Sequence, residues 1–153
     1  MRAIEAWVEA PLREFVVESG ARIALLMTSA GQVVAQHGFT RSVDVMAASA
    51  LGAGIVASTE ELARQLGTTG FGAVVHQSQQ QGVFLSPFEL PRGRWIGLVV
   101  FGPDSSIGLV QLFFGRLAAD LARAAPREWK PHLILPENFE EDLNSSLRAL
   151  FGR

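Results

Sequence analysis

Apolar residues recur at helical spacing in some stretches of the chain and in short continuous runs in others. The stripe within residues 4–16 predicts a first helix, with Pro11 either kinking it or marking its true start, because the proline ring displaces the carbonyl four residues earlier. Gly20 follows as a stop. The apolar runs 22–28 and 33–37 flank a Ser-Ala-Gly-Gln turn and therefore predict a β-hairpin.

The next stretch, residues 42–66, predicts a long helix with Ser42 or Asp44 as its N-cap and Gly67 as its stop. The fifteen residues between Asp44 and Glu60 carry no charge and are too few to span a bilayer. Two apolar stripes run along this helix: Leu51, Ile55, Leu62 and Leu66 form one, and Met46, Ala50, Ala53 and Ala57 form the other, with Ser49, Gly52 and Val56 beside it. A helix that is apolar on both flanks must be covered from two directions, and its own sheet covers only one.

Three further strands are predicted at 71–79, 82–90 and 94–101, with turn residues between them. The Gly-Pro-Asp-Ser sequence at 102–105 then caps a helix whose apolar stripe runs over 110–124. The order α-β-β-α-β-β-β-α predicts an α/β fold of the α+β sandwich type, in which helices pack on a five-stranded antiparallel sheet.

The C-terminal part of the chain has a different character. Residues 126–136 hold three prolines in eleven positions and predict an extended linker, which can lie against the domain through its Leu-Ile-Leu run. A last amphipathic helix is predicted at 137–153, and its apolar face consists of Phe139, Leu143, Leu147, Leu150 and Phe151. So short a helix is stable in water only when that face docks. The predicted organisation is a domain at 1–125, a Pro-rich linker at 126–136 and a C-terminal helix at 137–153.

The composition excludes several classes of function. The chain carries 13 basic and 15 acidic residues, without a run of five basic ones, so nucleic acid is not an expected partner. It has no cysteine, which rules out disulfides and thiolate chemistry and suits a reducing cytoplasm, and no export signal is expected. Hydrophobic residues make up 48% even before its 15 glycines are counted, whereas ordinary domains reach about 45–50% with glycine included. Such an excess points to an interface, and no membrane partner is expected.

No motif for catalysis or for cofactor or metal binding is present. Gly52-Ala53-Gly54 and Gly70-Phe71-Gly72 lack the Gly-Lys-Ser/Thr ending of a phosphate-binding loop. The three histidines, His37, His76 and His132, lie on different predicted elements without the spacing of a metal site. No Gly-x-Ser-x-Gly nucleophile turn occurs. We therefore expect a protein that binds other proteins, needs no cofactor and is not an enzyme.

The layout resembles the Roadblock/dynein light chain family, and within it the bacterial MglB type, over nearly the whole chain. The pieces that carry the resemblance are residues 20–26 after the first helix, the hairpin at Ala30-Gly31, the small-residue helix 47–57, the Glu-Glu-Leu-Ala-Arg-Gln-Leu-Gly sequence at 60–67 and the tail 137–152. None of these is a catalytic motif, so the resemblance rests on layout and helix composition.

Protomers of that family pair through the long helix and the third strand, which joins two five-stranded sheets into one. The resemblance therefore implies a homodimer whose interface covers the charge-free helix and the third predicted strand. The glutamines of that strand carry no charge that would prevent another strand from pairing with it. A solvent-exposed strand is the alternative explanation of those glutamines. The implied interface residues are Met46, Ser49, Ala50, Gly52, Ala53, Val56, Ala57, Val75, Gln77 and Gln79.

MglB-type dimers bind a Ras-like small GTPase of the MglA type and promote GTP hydrolysis by reshaping its switch regions, without inserting an arginine of their own. The resemblance implies the same role here, in cell polarity or gliding motility in a bacterial cytoplasm, with Arg41, Asp44 and Val45 as contact candidates. For Arg41, a solvated charge at a helix end is the alternative. The C-terminal helix is implied to dock on the GTPase, while docking back on its own dimer stays open.

Two other functions stay open. One is a Roadblock scaffold subunit that binds a GTPase or signalling complex without accelerating hydrolysis. The other is a small-molecule sensor or minor enzyme on a profilin-like sheet, which would need a deep polar pocket in the monomer.

Overall fold

Three helices and six strands account for most of residues 2–3, 6–91 and 93–126, which are the residues that the computed structural model describes. The helices are α1 (Ala6–Ser19), α2 (Val45–Gln65) and α3 (Ile107–Ala124), with a 3₁₀ turn at Thr40–Ser42. The strands are β1 (Arg2–Ala3), β2 (Ile23–Thr28), β3 (Val33–Gly38), β4 (Val74–Gln77), β5 (Gly82–Leu90) and β6 (Gly93–Phe101).

The strands form one antiparallel sheet in the order β1-β3-β2-β6-β5-β4. The predicted fold class and its α-β-β-α-β-β-β-α order are confirmed. The one addition is β1, which pairs Arg2 with Gln36 and Ala3 with Ala35. A strand of two residues has no hydrophobic periodicity, so the sequence could not predict it.

Helices α1 and α3 cover one face of the sheet. Their core is aromatic, because the Phe114 ring lies edge-on to Phe15, Phe84 and Phe88 with centroids 5.1–6.0 Å apart. The Phe114 ring has room there only because Gly97 has no side chain: a Cβ at Gly97 would lie 2.3 Å from it. This face therefore holds the larger of the two cores.

Among the described elements, only helix α2 covers the other face. Its core partners are aliphatic side chains of the central strands, namely Ile23, Leu25, Met27, Leu85, Ile96 and Leu98. Because one helix about 10 Å wide cannot cover a sheet of this size, the described residues leave the sides of α2 and the neighbouring edge of the sheet uncovered.

Three predicted helix boundaries need correction or refinement. Pro11 lies inside α1, five residues after its first residue, so it does not mark the start of the helix. Of the two candidate N-caps of α2, Asp44 is confirmed, since its Oδ1 accepts a hydrogen bond from the Ala47 N–H at 3.1 Å. The cap of α3 is Ser106, one residue beyond the predicted capping sequence.

Strand β4 is shorter than predicted, spanning Val74–Gln77 within the expected range 71–79. Gly70 and Gly72 precede it with φ angles of +131° and +71°, which are incompatible with a continuous strand. Gln79 is also not on the strand, because the chain turns between Ser78 and Gln81. The predicted C-terminal helix and all of the linker after Pro126 lie outside the described residues.

Candidate protein-interaction surface

One side of α2 is buried against its own sheet. Ser49, Gly52, Ala53 and Val56 face the sheet, and a Cβ at Gly52 would already lie 3.1–3.2 Å from two leucine side chains of β5 and β6. The small residues thus let α2 lie close to the long aliphatic side chains of the strands. These four residues of the predicted dimer interface are therefore buried within their own protomer, and the interface stays a prediction.

The opposite side of α2 is apolar and exposed. Met46, Leu51 and Leu62 are 80%, 68% and 52% exposed. Between them lie exposed small residues, namely Ala47, Ala50, Gly54, Ala57 and Ser58. A Cβ at Gly54 would meet nothing within 4 Å. We call this side, from Met46 to Leu62, the outward face of α2. Of the predicted interface residues, Met46, Ala50 and Ala57 lie on this face. Leu51 and Leu62 also lie on it but were not among the predicted interface residues.

The edge of the sheet beside α2 is β4. Among the described strands it pairs only with β5, and its four residues, Val74 to Gln77, carry no Lys, Arg, Asp or Glu. Val75 is 37% exposed, and Gln77 is also exposed. An uncharged edge with unpaired backbone groups can accept another strand. Val75 and Gln77 are thus accessible, as a role in dimerisation requires.

Two of the three GTPase-contact candidates are exposed at the N-terminal end of α2. Arg41 and Asp44 are exposed, whereas Val45 packs against the core beneath the helix. Phe39, which precedes them in the same loop, is 76% exposed. Sequence reasoning missed Phe39 because a single aromatic residue in a loop belongs to no stripe.

A groove of about 540 Å³ lies beside the C-terminal half of α2, next to the start of β4. It arises because β4 pairs only with Gly82–Leu85, so residues 86–90 of β5 pair with β6 on one side and have no described strand on the other. The loop 68–72 forms the outer wall of the groove. Its lining is largely apolar and includes Val56, Ala63 and Val74.

Charged side chains on the rim of the groove are paired with one another. Arg94 contacts the carboxylate of Glu60, and its Nε lies 3.3 Å from Oε1 of Glu89. Arg64 donates to both carboxylate oxygens of Glu61 at 2.9 and 2.5 Å, which lowers the pKa of that carboxyl group. Because both arginines already have carboxylate partners, the groove is a poor site for an anion.

Within the described residues, no group of three or more His, Asp or Glu side chains could hold a metal ion. No helix in that part of the chain is long and apolar enough to cross a membrane.

The fold and the exposed α2–β4 surface can now be compared with known proteins. The family model of the Roadblock/LC7 domain matches residues 8–89, from α1 to β5. This chain belongs to the Roadblock/LC7 family. The matched region includes both α2 and β4, the elements that carry the exposed surface.

Among solved structures, the gliding protein MglB from Thermus thermophilus is 30% identical with a TM-score of 0.67, covering 78% of this chain and 88% of that one. Myxococcus xanthus MglB has a TM-score of 0.71 at 22% identity, covering 78% of this chain and 95% of that one. A structure described as MglB with a tetrameric arrangement has a TM-score of 0.67 at 27% identity, covering 82% of this chain and 97% of that one. No curated protein sequence matches the chain.

Proposed function

We propose that the protein is a homodimer in which the outward face of α2 and the edge of β4 pack against the same surfaces of a second copy. The observation that carries this proposal is the charge-free stretch 45–59, whose outward side no described element covers. Small residues there allow the axes of two helices to approach to about 8–10 Å. Adjacent β4 strands join the two sheets, as the uncharged edge favours.

The energetic balance indicates that both contacts are needed. Burying Met46, Leu51 and Leu62 on both protomers contributes on the order of 10 kcal/mol, at about 1.5–3 kcal/mol for each fully buried side chain. Association itself costs about 4–15 kcal/mol in translational and rotational freedom. Because the two ranges overlap, burial of these side chains alone does not ensure a stable dimer. Pairing of the β4 strands supplies the additional free energy of association.

In this proposal the dimer regulates a Ras-like small GTPase of the MglA type in a bacterial cytoplasm and accelerates its GTP hydrolysis. Membership of the Roadblock/LC7 family and the likeness to MglB structures support it. The GTPase keeps the chemistry, and the dimer positions its switch regions, which is the contribution of an activating protein.

The GTPase contacts are assigned to the N-terminal end of α2. Arg41 and Phe39 are of residue types that are enriched at protein interfaces. Asp44 adds a charge of opposite sign on the same loop, which can fix the orientation of a partner. Val45 is excluded because it packs against its own core.

Single-turnover GTP hydrolysis by the MglA-type GTPase of the same organism tests this function. The full chain is expected to accelerate hydrolysis at least tenfold. Arg41→Ala should remove most of the acceleration, whereas the matched control Arg123→Ala, an exposed arginine on the opposite side of the sheet, should leave it unchanged. Binding without acceleration would contradict the activating role and identify a scaffold. A chain ending at residue 136 tests the contribution of the predicted helix 137–153.

A further inference from the structure

Arg22 differs from the other arginines in its burial. Of the seven arginines whose side chains the structure describes, it is the one that is half-buried. The exposed ones are Arg13, Arg41, Arg64, Arg94, Arg116 and Arg123. A charged group that leaves water loses hydration free energy, so a buried or half-buried arginine normally has a carboxylate beside it.

Arg22 has no such carboxylate among the described residues. Its guanidinium forms neither an ion pair nor a hydrogen bond with any of them. Each of four exposed arginines does contact an aspartate or a glutamate, namely Arg64, Arg94, Arg116 and Arg123. The least exposed arginine is thus the one that most needs a counter-charge. This arrangement costs folding free energy, and a carboxylate from a bound partner would relieve it.

The surroundings of Arg22 restrain its guanidinium. The Arg22 N–H donates to the Val100 carbonyl oxygen at 2.8 Å, and the Arg22 carbonyl oxygen accepts from the Phe39 N–H at 3.0 Å. The guanidinium lies against the backbone of Gly102, where a Cβ would be 2.4–2.6 Å from its Cζ, Nη2 and Nε atoms. A side chain at position 102 would occupy this space. The planar group is therefore largely positioned before a partner arrives, which reduces the entropy lost on binding.

Arg22 borders the loop that carries the proposed GTPase contacts. Its hydrogen bond with the Phe39 N–H joins the two segments, and Arg41 follows two residues later. The net charge of this end of the sheet selects no partner, because Asp44 and Asp104 are exposed there as well. The selectivity comes instead from the guanidinium of Arg22, which presents a planar fork of N–H donors to one group at a time.

We infer that Arg22 is a further contact residue of the proposed GTPase site and forms a bidentate pair with an aspartate or glutamate side chain of the GTPase. The inference rests on the proposed function and names the chemistry of one contact. The guanidinium fork matches the two oxygens of a carboxylate, and charge-assisted hydrogen bonds are roughly twice as strong as neutral ones. Because Arg22 binds a side chain and not the nucleotide, it contributes to affinity and not to the rate of hydrolysis within the complex.

Three variants separate the charge of Arg22 from its position. Arg22→Met keeps a long apolar stem but removes the guanidinium, and Arg22→Lys keeps the charge but removes the planar fork. Gly102→Ala leaves Arg22 intact but places a Cβ where the guanidinium lies, and the flexible end of the arginine can move aside without disturbing the fold. The matched controls are Arg13→Met, at an exposed arginine of α1, and Gly115→Ala, whose Cβ meets nothing within 4 Å.

Isothermal titration calorimetry measures the dissociation constant of the full chain for the MglA-type GTPase of the same organism, loaded with a non-hydrolysable GTP analogue. Arg22→Met and Gly102→Ala should each raise this constant at least about tenfold, and Arg22→Lys should raise it less. Both controls should stay within about twofold of the wild type, since neither changes a proposed contact. The rate of GTP hydrolysis at a saturating concentration of the chain should be the same for all variants.

Thermal unfolding distinguishes this role from a purely structural one. Arg22→Met should not lower the melting temperature, because it removes a half-buried charge that has no counter-charge among the described residues. The inference is overturned if the wild type binds the GTPase and Arg22→Met binds it within about twofold as tightly, or if affinity falls only together with the melting temperature. A wild-type chain that does not bind the GTPase would overturn the proposed function, and this inference with it.

Discussion

Replacing Gly54 by glutamine tests the proposed helix pairing most directly. Gly54 lies in the middle of the outward face of α2, and a Cβ there meets nothing within 4 Å of its own protomer. The substitution therefore adds no clash within the monomer. Since glutamine is a better helix former than glycine, the monomer should gain about 0.5–1 kcal/mol in unfolding free energy. In the dimer, the same side chain occupies the space that the second helix needs.

The size of the effect follows from the symmetry of the interface. Forcing extra atoms into a packed contact costs about 1–3 kcal/mol. In a twofold dimer each substitution occurs twice, so the total penalty is about 2–6 kcal/mol. At about 1.4 kcal/mol per tenfold change, the dimer dissociation constant should rise at least about 30-fold.

Sedimentation equilibrium over a concentration series measures this constant. The matched control is Gly115→Gln on α3, since Gly115 is also an exposed helical glycine whose Cβ would meet nothing within 4 Å. It gains the same helix propensity but should leave the dimer unchanged. The reasoning is refuted if Gly54→Gln changes the constant less than threefold, or if Gly115→Gln weakens the dimer equally.

Three further predictions concern stability. Asp44→Ala should lower the unfolding free energy by about 1 kcal/mol in urea titrations, because it removes the cap on the Ala47 N–H; Asp44→Ser should retain most of it. Burial lowers the pKa of His37 below its ordinary value near 6.5, so the folded chain binds this proton less readily and stability falls as the pH drops from 7 to 5. His37→Gln should reduce that loss, and an unchanged pH dependence would contradict the assignment. Gly97→Ala should cost about 1–3 kcal/mol by thermal unfolding, because its Cβ collides with the Phe114 ring.

The sequence predicted the element order because most elements carry a clear period and end at a glycine, proline or capping residue. It did not determine which side of α2 faces the sheet, for a physical reason. Periodicity indicates which side of a helix is buried only when the opposite side is polar. In α2 both flanks are apolar, and the rule that large residues face the core favours Leu51 and Leu62. The long side chains of the sheet reverse this rule, since only small residues such as Gly52 fit above Leu85 and Leu98.

The groove could not have been predicted, because it depends on where β4 ends. Phe71, Val74 and Val75 favour a strand, and the predicted strand 71–79 would have extended alongside the part of β5 that is open in the structure. The positive φ angles of Gly70 and Gly72 prevent this, and a sequence does not specify the sign of φ at a glycine. The shortened strand leaves residues 86–90 of β5 without a described neighbour on the side away from β6.

In the proposed dimer, the N-terminal end of α2 in one protomer would lie next to the C-terminal end of α2 in the other. A twofold axis perpendicular to the sheet makes both the β4 pair and the α2 pair antiparallel. Helix α2 has 21 residues and is therefore about 30 Å long, so Arg41 and the groove of one protomer lie far apart. In the antiparallel pair, Arg41 of one protomer lies beside the groove end of the other. A GTPase bound at Arg41 would then lie beside the groove of the second protomer, and residues from both copies would form each binding site.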